Sequence, residues 1–320
     1  MSSGDTSLEI DTSANMTCII DGIRYDPPLY PSSQEFYQNL GGYAISLYCT
    51  SLITVIILGV EYYLLIQRCL RNVAPKRRVA TLWIWSVYLI ASIMGLLGIV
   101  TPKSSDFVWL SYRVYLGLVM TYFVELTISW HGGQKQMVRR LENKTINMRV
   151  RPCCGLICLP SRTPFSRNKI KLIKSCVYQL GYTQTGTIFI LVVLSLSGDL
   201  RIGNMSPEDP YLYISCILLL SFFTGMWGLL TLFGVEATYE FLQVHQYRKK
   251  AFLLKMIILF TNLQGFIIDS LSNYSVIPCA GPMISSKAMG SIIKSILTMM
   301  ETLILGSIMF RTYIIDTSHV

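Results

Sequence analysis

Residues 42–67 read GYAISLYCTSLITVIILGVEYYLLIQ, a stretch of 26 residues in which Glu61 is the only charged side chain. A helix needs about 20 mostly apolar residues to cross the hydrocarbon core of a bilayer, so this stretch is long enough. Five arginines and lysines follow it within residues 68–78. The stretch is therefore predicted to be a membrane-spanning helix that ends at a basic surface.

The rest of the chain repeats this pattern. Six further apolar stretches lie near 79–100, 107–130, 175–197, 211–234, 250–271 and 288–310. The 320 residues are 52% hydrophobic and 14% charged, with a mean hydropathy of +0.48, whereas a soluble domain carries roughly 25% charged residues. Open strands would leave backbone groups unpaired in lipid, so the spans should be helices. The predicted fold class is all-α, a polytopic membrane protein with seven transmembrane helices.

The distribution of charge predicts the orientation of these helices. Twenty of the 27 lysines and arginines lie after the first, third, fifth and seventh stretches. Since cytosolic loops carry the excess of positive charge, the N-terminus is predicted outside and the C-terminus in the cytosol. The net charge of +9 then belongs to the cytosolic surface, where membrane lipids are the expected partners and no nucleic acid is needed.

This orientation divides the chain into three parts. Residues 1–41 form an extracellular N-terminal segment with six acidic residues, one basic residue and no apolar run that would indicate a signal peptide. Residues 42–314 form the seven-helix domain, which includes a cytosolic, basic, cysteine-containing loop at 131–174. Residues 315–320 form a short cytosolic tail.

The cytosolic loop contains the sequence RPCCGLICLPSR at 151–162. Disulfides are disfavoured in the cytosol, and Cys153, Cys154 and Cys158 have no nearby fourth ligand for a structural zinc, so no metal site is predicted. Cysteines beside a membrane and flanked by basic residues are typical of S-palmitoylation, which would hold the loop against the inner leaflet. Palmitoylation of these three cysteines is the preferred prediction, and unmodified thiols are the alternative.

Two cysteines, Cys18 and Cys279, fall on the predicted outer side. The extracellular space is oxidising, so a Cys18–Cys279 disulfide is a hypothesis. The sequon Asn15-Met16-Thr17 lies on the same side, and Asn15 is the predicted glycosylation site.

Polar side chains inside the last two predicted helices indicate a functional face, because charges in a bilayer are costly. In the sixth helix Lys255, Asn262 and Asp269 recur every seven residues and share one face, with Gln264 close to it. In the seventh, Lys294, Thr298 and Glu301 do the same at spacings of four and three. The two helices run antiparallel, so Asp269 and Lys294 should lie in the same outer layer, where they can pair.

Each of these residues also has a purely structural interpretation. Polar groups often hold membrane helices together, and this is the favoured reading for Gln179, Thr183 and Thr187 in the fourth helix. Long side chains near helix ends can reach the interface, which is the expectation for Glu61, Glu125, Lys255 and Arg113.

Known catalytic and receptor motifs are missing. The sequence contains no P-loop, HExxH or GxSxG pattern, so no enzyme activity and no cofactor are predicted. Seven helices with an external N-terminus also fit a G-protein-coupled receptor. The third helix, however, ends ELTISWHGGQKQ and the seventh GSIMFRTYIID, without the motifs usual there. A receptor or chemoreceptor sensing a small ligand stays the main alternative to a transporter.

Several short motifs recur in the order seen in one family. They are Gly132-Gly133, the basic loop with its cysteines, NKIKLIKSCVYQ before the fourth helix, Leu263-Gln264, Cys279, Pro282, Ser285-Ser286-Lys287 and Glu301-Thr302-Leu303. With them, residues 42–314 resemble the α subunit of the organic solute transporter family.

The resemblance implies a facilitative transporter subunit that moves bile acids, conjugated steroids and related amphipathic anions across the plasma membrane. It also implies an obligate single-pass β subunit, retention in the endoplasmic reticulum without that partner, and palmitoylation of the loop. A homodimer of such α subunits stays open. The family pattern departs here at Ser129, where an acidic residue is expected, and in a sparser cysteine run.

The candidate substrate-binding residues combine both lines of reasoning. Lys294 would provide positive potential for an anionic head group, Asn262 and Gln264 would donate hydrogen bonds to it, and Glu301 would orient or neutralise the site. Asp269 and Thr298 complete the predicted face.

Overall fold

A computed structural model describes residues 18–20, 23–25, 30–142, 144–149, 163–197, 208–235, 242, 246–274, 276–280 and 283–317. Within these residues the helices are α1 Ser33–Leu40, α2 Gly42–Asn72, α3 Pro75–Val100, α4 Ser105–Trp130, α5 Gln134–Leu141, α6 Arg167–Ser197, α7 Pro210–Phe233, α8 Tyr247–Asn273 and α9 Ser286–Thr317. Two short antiparallel pairs join β1 Cys18–Ile20 to β2 Ile23–Tyr25 and β3 Thr145–Ile146 to β4 Thr163–Pro164.

The described part of the chain contains seven helices long and apolar enough to cross a membrane: α2, α3, α4, α6, α7, α8 and α9. The prediction of an all-α membrane protein with seven spans is confirmed. Several helices extend beyond the predicted stretches. The start of α6 lies eight residues before 175, and α9 ends at Thr317, inside the predicted tail. The extra turns at these ends include basic side chains. They therefore lie outside the apolar segments from which the spans were predicted.

The ends of the first helices follow from local chemistry. Ser32 caps α1, since its hydroxyl accepts from the Glu35 backbone N–H while the Glu35 carboxylate accepts from the Ser32 N–H. Pro75 stands in the first turn of α3, where its missing N–H costs no helical hydrogen bond. The predicted N-terminal segment therefore ends in a short helix that leads into α2.

The helices pack around α3 and α4. Helix α3 contacts α2, α4 and α9, while α6 joins α4 to α7. Helix α8 packs chiefly against α9. The result is a bundle in which α8 is held mainly by one neighbour.

Glycines allow the close helix crossings. A Cβ atom on Gly117 of α4 would lie 3.3 Å from the Cα atom of Gly181 in α6. One on Gly228 of α7 would lie 3.1 Å from the Ile173 carbonyl oxygen. Helices in lipid associate by such van der Waals contact, because burial from water gives them no driving force.

The turn after α4 requires its two glycines. Gly132 has φ +85° and Gly133 has φ +105°, both in the region that favours glycine. The Gly133 N–H donates to the Ile128 carbonyl at 3.0 Å, which closes the end of the helix. The backbone conformation of this turn therefore favours glycine at both positions.

The predicted loop at 131–174 is largely folded where the structure describes it. Helix α5 buries Met137 and Leu141, and beyond it Ile146, Met148 and Phe165 are also buried. Trp227 of α7 donates from Nε1 to the Met148 carbonyl at 3.0 Å. The β3–β4 pair closes the base of this segment. Cys153, Cys154 and Cys158 lie outside the described residues, as does Asn15.

Gly228→Val should destabilise the protein, because its side chain would meet the α6 backbone. Overpacking of a tight contact costs about 1–3 kcal/mol, so the unfolding temperature of the purified protein in detergent should fall by several degrees. The matched control is Gly186→Val in α6, where nothing lies within 4 Å of the added Cβ. Equal unfolding temperatures for the two variants would contradict the assigned packing.

Candidate functional site

An ion pair joins α8 and α9 in the halves that are predicted to lie on the outer side of the membrane. Lys294 Nζ lies 3.0 Å from Asp269 Oδ1 and 5.5 Å from the centroid of the Trp109 ring in α4. The Lys294 side chain is 10% exposed, whereas that of Asp269 is 51% exposed. The pairing suggested by sequence spacing is present, and it is asymmetric. A buried cation is held by a carboxylate that remains accessible.

Lys294 also lines a small cavity between α4, α8 and α9. The cavity is lined by Trp109, Tyr112, Arg113, Leu116, Thr261, Asn262, Gly265 and Lys294. Its volume of about 20 Å³ holds about one water molecule. An organic solute therefore fits only if these helices separate.

Arg113 was expected to reach the interface, and the residue is exposed. It also belongs to the lining of the same cavity as Lys294. Two cations, Arg113 and Lys294, thus border the cavity. Only Lys294 was predicted from the sequence to belong to the site. Arg113 lies on α4, far in sequence from α8 and α9, so periodicity within one helix could not connect them.

A second polar layer lies further toward the predicted cytosolic side. Gln264 Nε2 donates to Thr298 Oγ1 at 2.9 Å, and the same amide lies beside the carboxyl group of Glu301. Glu301 Oε2 is buried without a hydrogen-bond partner among the described residues. Asn262 donates to the Ile258 carbonyl of its own helix at 2.8 Å. The six candidate residues therefore all lie along the α8–α9 contact, in two layers. Asn262 is part of the cavity wall.

The outer end of α4 is tied to the N-terminal segment by a contact that the sequence did not predict. Tyr30 donates its hydroxyl to both carboxylate oxygens of Asp106 at 3.0 Å. Burial, and next the Asp106 charge, raise the pKa of Tyr30, so the phenol stays protonated and acts as a donor. Lys287 lies over the same ring, 5.7 Å from its centroid.

An aromatic cage surrounds a second buried lysine at the opposite end of the bundle. Lys250 of α8 is fully buried, with Nζ 4.0 Å from the Tyr313 ring centroid and 5.4 Å from that of Trp130. Tyr247 packs edge-to-face on Trp130. The cage joins α4, α8 and α9. Cation–π contacts of this kind stabilise a desolvated ammonium group by about 2 kcal/mol or more.

His131, at the end of α4, is fully buried. Burial, with a smaller contribution from Arg140, lowers the pKa of His131 to about 4. The imidazole is therefore neutral at cytosolic pH.

The carboxylates Glu61 and Glu125 each have a partner on a neighbouring helix. Glu125 of α4 lies 2.7 Å from Lys174 Nζ in α6 and also accepts from the Tyr178 hydroxyl. Glu61 of α2 accepts from Ser307 of α9 at 2.8 Å. Glu61 and Glu125 thus each have a polar partner on a neighbouring helix, which the sequence did not predict, and their reach to the interface stays a prediction. The packing role expected in α6 agrees with a 3.2 Å hydrogen bond from Gln179 to the Ser221 carbonyl of α7.

The bundle with its polar α8–α9 contact corresponds to a known family. Residues 42–318 match the family model of the organic solute transporter Ostalpha. The chain belongs to this family. The Ostalpha family is one of membrane transporters for solutes, which is not an enzyme class, and the chain is accordingly a multi-pass membrane protein.

Curated relatives agree with this assignment at low identity. The organic solute transporter subunit alpha of Danio rerio is 24% identical over 75% of this chain and 74% of its own length. That of Leucoraja erinaceus is 24% identical over 85% and 76%, and that of Homo sapiens is 22% identical over 90% and 84%. No solved structure matches the chain.

The cysteines of this Ostalpha family member fall into different groups. Cys49, Cys69, Cys176 and Cys216 are free thiols. Cys279 is disulfide-bonded. The side chain of Cys18 lies outside the described residues, so the Cys18–Cys279 pairing stays a prediction, as does acylation of the loop cysteines.

Peptide mapping of the alkylated, non-reduced protein from cells should find Cys18 and Cys279 in one linked species. Cys49 and Cys216 are free thiols, so they should be alkylated when the protein is denatured without reduction, and they serve as the internal control. Hydroxylamine-dependent labelling should find thioesters on Cys153, Cys154 and Cys158, because this loop is predicted to lie beside the inner leaflet. An acyl-exchange mass shift unchanged by triple replacement with serine would exclude acylation there, and alkylation of Cys18 in the non-reduced protein would exclude the disulfide.

Proposed function

We propose that this chain is a subunit of a facilitative transporter that moves amphipathic organic anions, such as bile acids and conjugated steroids, across the plasma membrane. Membership of the Ostalpha family and the word "subunit" in the names of its relatives support transport with a partner. The partner we propose is a single-pass β subunit, without which the chain would stay in the endoplasmic reticulum. Palmitoylation of the cytosolic loop and a homodimer of α subunits belong to the same proposal.

The observation that carries the proposal is the asymmetric pair of Lys294 and Asp269. A buried ammonium group needs a counter-charge, because removing its partner leaves an uncompensated charge in a low-dielectric site. Asp269 supplies that charge from a half-exposed position. A sulfate or carboxylate of a solute can therefore take the place of Asp269 without leaving Lys294 unpaired.

Such an exchange suits facilitated transport. One anion replaces another at the same cation, so the net gain on binding is small and release stays possible on either side. Transport requires binding that is favourable enough for the solute to enter and weak enough for it to leave. Trp109, Tyr112 and Leu116 provide apolar wall for the body of the solute, and Arg113 provides a second cation.

The inner layer offers the next contacts along the same helices. Gln264 and Thr298 already bond to each other, so each has a polar group that can be turned toward a passing head group. Because the cavity is small, α8 has to move away from α4 to admit the solute. Helix α8 packs chiefly against α9, which makes it the helix best able to move.

The test measures saturable uptake of a labelled steroid sulfate into cells that co-express a single-pass β subunit from the same organism. Lys294→Gln should reduce uptake about tenfold or more, which corresponds to about 1.4 kcal/mol of lost stabilisation. Asp269→Asn should lower the KM, since the competing carboxylate is gone. Lys103→Gln, on an exposed lysine outside the bundle, is the control and should leave uptake unchanged.

The reversed pair, Lys294→Asp with Asp269→Lys, separates a structural role from a transport role. The reversed pair should reach the cell surface, measured by biotinylation. It should not support uptake, because a carboxylate then occupies the buried position. Normal uptake by the reversed pair or by Lys294→Gln would contradict the assigned site. A ligand-dependent cytosolic signal without solute flux would instead favour the receptor alternative.

A further inference from the structure

A second, larger cavity lies at the predicted cytosolic end of the bundle, between α7 and α8. Its volume is about 480 Å³, within the range of about 300–1,000 Å³ typical of small-molecule sites. It is lined by Leu230, Phe233, Gly234, Arg248, Lys249, Ala251, Phe252 and Lys255. None of the residues proposed for transport belongs to it.

The α8 wall of this cavity is basic. Arg248 and Lys255 are seven residues apart and therefore share one face of the helix, separated by about 10 Å along its axis. Lys249 adjoins Arg248 at the mouth. All three residues are exposed, and none makes an ion pair with a residue that the structure describes. Three cations thus face the cavity with no counter-charge in its described lining.

The remaining walls are apolar. Leu230 and Phe233 of α7 face Ala251 and Phe252 of α8, and the Phe252 side chain is 53% exposed. No acidic side chain is among the described lining residues. The cavity therefore combines a cationic rim with a hydrocarbon-like wall that runs into the membrane.

We propose that this cavity binds an inner-leaflet phospholipid with a polyanionic head group of the phosphoinositide type. Basic pockets between transmembrane helices on the cytosolic side bind such head groups. The ring phosphates would meet Arg248 and Lys249, the phosphodiester would meet Lys255 deeper in, and an acyl chain would lie along Phe252 and Leu230. A head group with a single negative charge would leave two of the three cations without a partner.

The position of the site gives it a consequence for α8. Arg248 and Lys255 lie on the cytosolic half of the helix whose outer half carries Asp269. A lipid seated between α7 and α8 would fix the inner half of α8. The binding proposal itself rests on the cavity and on the predicted orientation, and it does not depend on which solute is transported.

The test uses the purified full chain in detergent, titrated with dioctanoyl phosphatidylinositol bisphosphate while its unfolding temperature is measured. We expect saturable stabilisation, with dioctanoyl phosphatidylserine and phosphatidylcholine binding at least about tenfold more weakly. Replacing Arg248, Lys249 and Lys255 by Gln should weaken bisphosphate binding about tenfold or more. The matched control replaces Arg68 and Arg71, at the predicted cytosolic end of α2, and Lys76, in the first turn of α3, by Gln and should bind like the parent.

Several results would overturn the proposal. They are equal affinity for phosphatidylserine and the bisphosphate, parent-like binding by the triple variant, and displacement of the lipid by a steroid sulfate that binds more tightly. Soluble inositol trisphosphate binding as tightly as the lipid would refute the role of the apolar wall. If the triple variant is unstable without lipid, Lys255→Gln alone should still weaken binding, and unchanged affinity there would also count against the site.

Discussion

Lys294 places a positive charge inside the outer half of a helix bundle, and the arrangement around it follows from the need to neutralise that charge. Its ammonium group is held by Asp269 on α8 and lies over the Trp109 ring on α4. Three helices are therefore positioned by one side chain. Asp269 is half exposed, so losing it leaves Lys294 less completely uncompensated than the loss of a partner from a fully buried pair would.

The other intramembrane charges show how this pair differs. Glu125 is held by both Lys174 and Tyr178, and Glu61 by Ser307, each across a contact between helices. Lys250 is enclosed by aromatic rings at the cytosolic end. Asp269 is half exposed and Glu125 is 43% exposed, but Lys294, at 10%, is more buried than Lys174, at 24%, so this pair differs in holding a buried cation with an accessible carboxylate. A structural role alone does not require such access, whereas a transported anion does.

The two ends of α8 have different surroundings, and this gives the helix its proposed role. Its buried Lys250 holds the cytosolic end to α4 and α9, while Arg248, Lys249 and Lys255 face an open cavity toward α7. Its outer half contacts the small cavity beside Lys294. Opening that cavity by movement of the outer half is compatible with an inner half held by aromatic contacts and by the proposed lipid.

Much of the fold could be predicted because lipid imposes strong constraints on sequence. Seven apolar stretches gave the seven helices, and spacings of three, four and seven placed Asp269, Lys294, Thr298 and Glu301 on facing surfaces. Contacts between distant parts of the chain could not be predicted this way. Tyr30 and Asp106 are 76 residues apart, and Arg113 reaches the Lys294 cavity only through the packing of α4.

Helix ends and charged residues near them were also misjudged. Lys250, the first residue of the sixth apolar stretch, was counted with the twenty cytosolic charges, but α8 begins at Tyr247 and Lys250 is buried inside the bundle. The basic loop contains α5 and a small β pair, which are stabilised by burial of a few apolar side chains. These side chains form no long periodic pattern, so the elements could not be predicted from the sequence.

The proposed function of this chain is the transport of organic anions together with a second subunit. The most direct measurement is uptake of a labelled steroid sulfate by cells expressing this chain alone or with a single-pass β subunit from the same organism. The account predicts saturable uptake only when both chains reach the surface. No uptake despite verified surface delivery of both chains would contradict it.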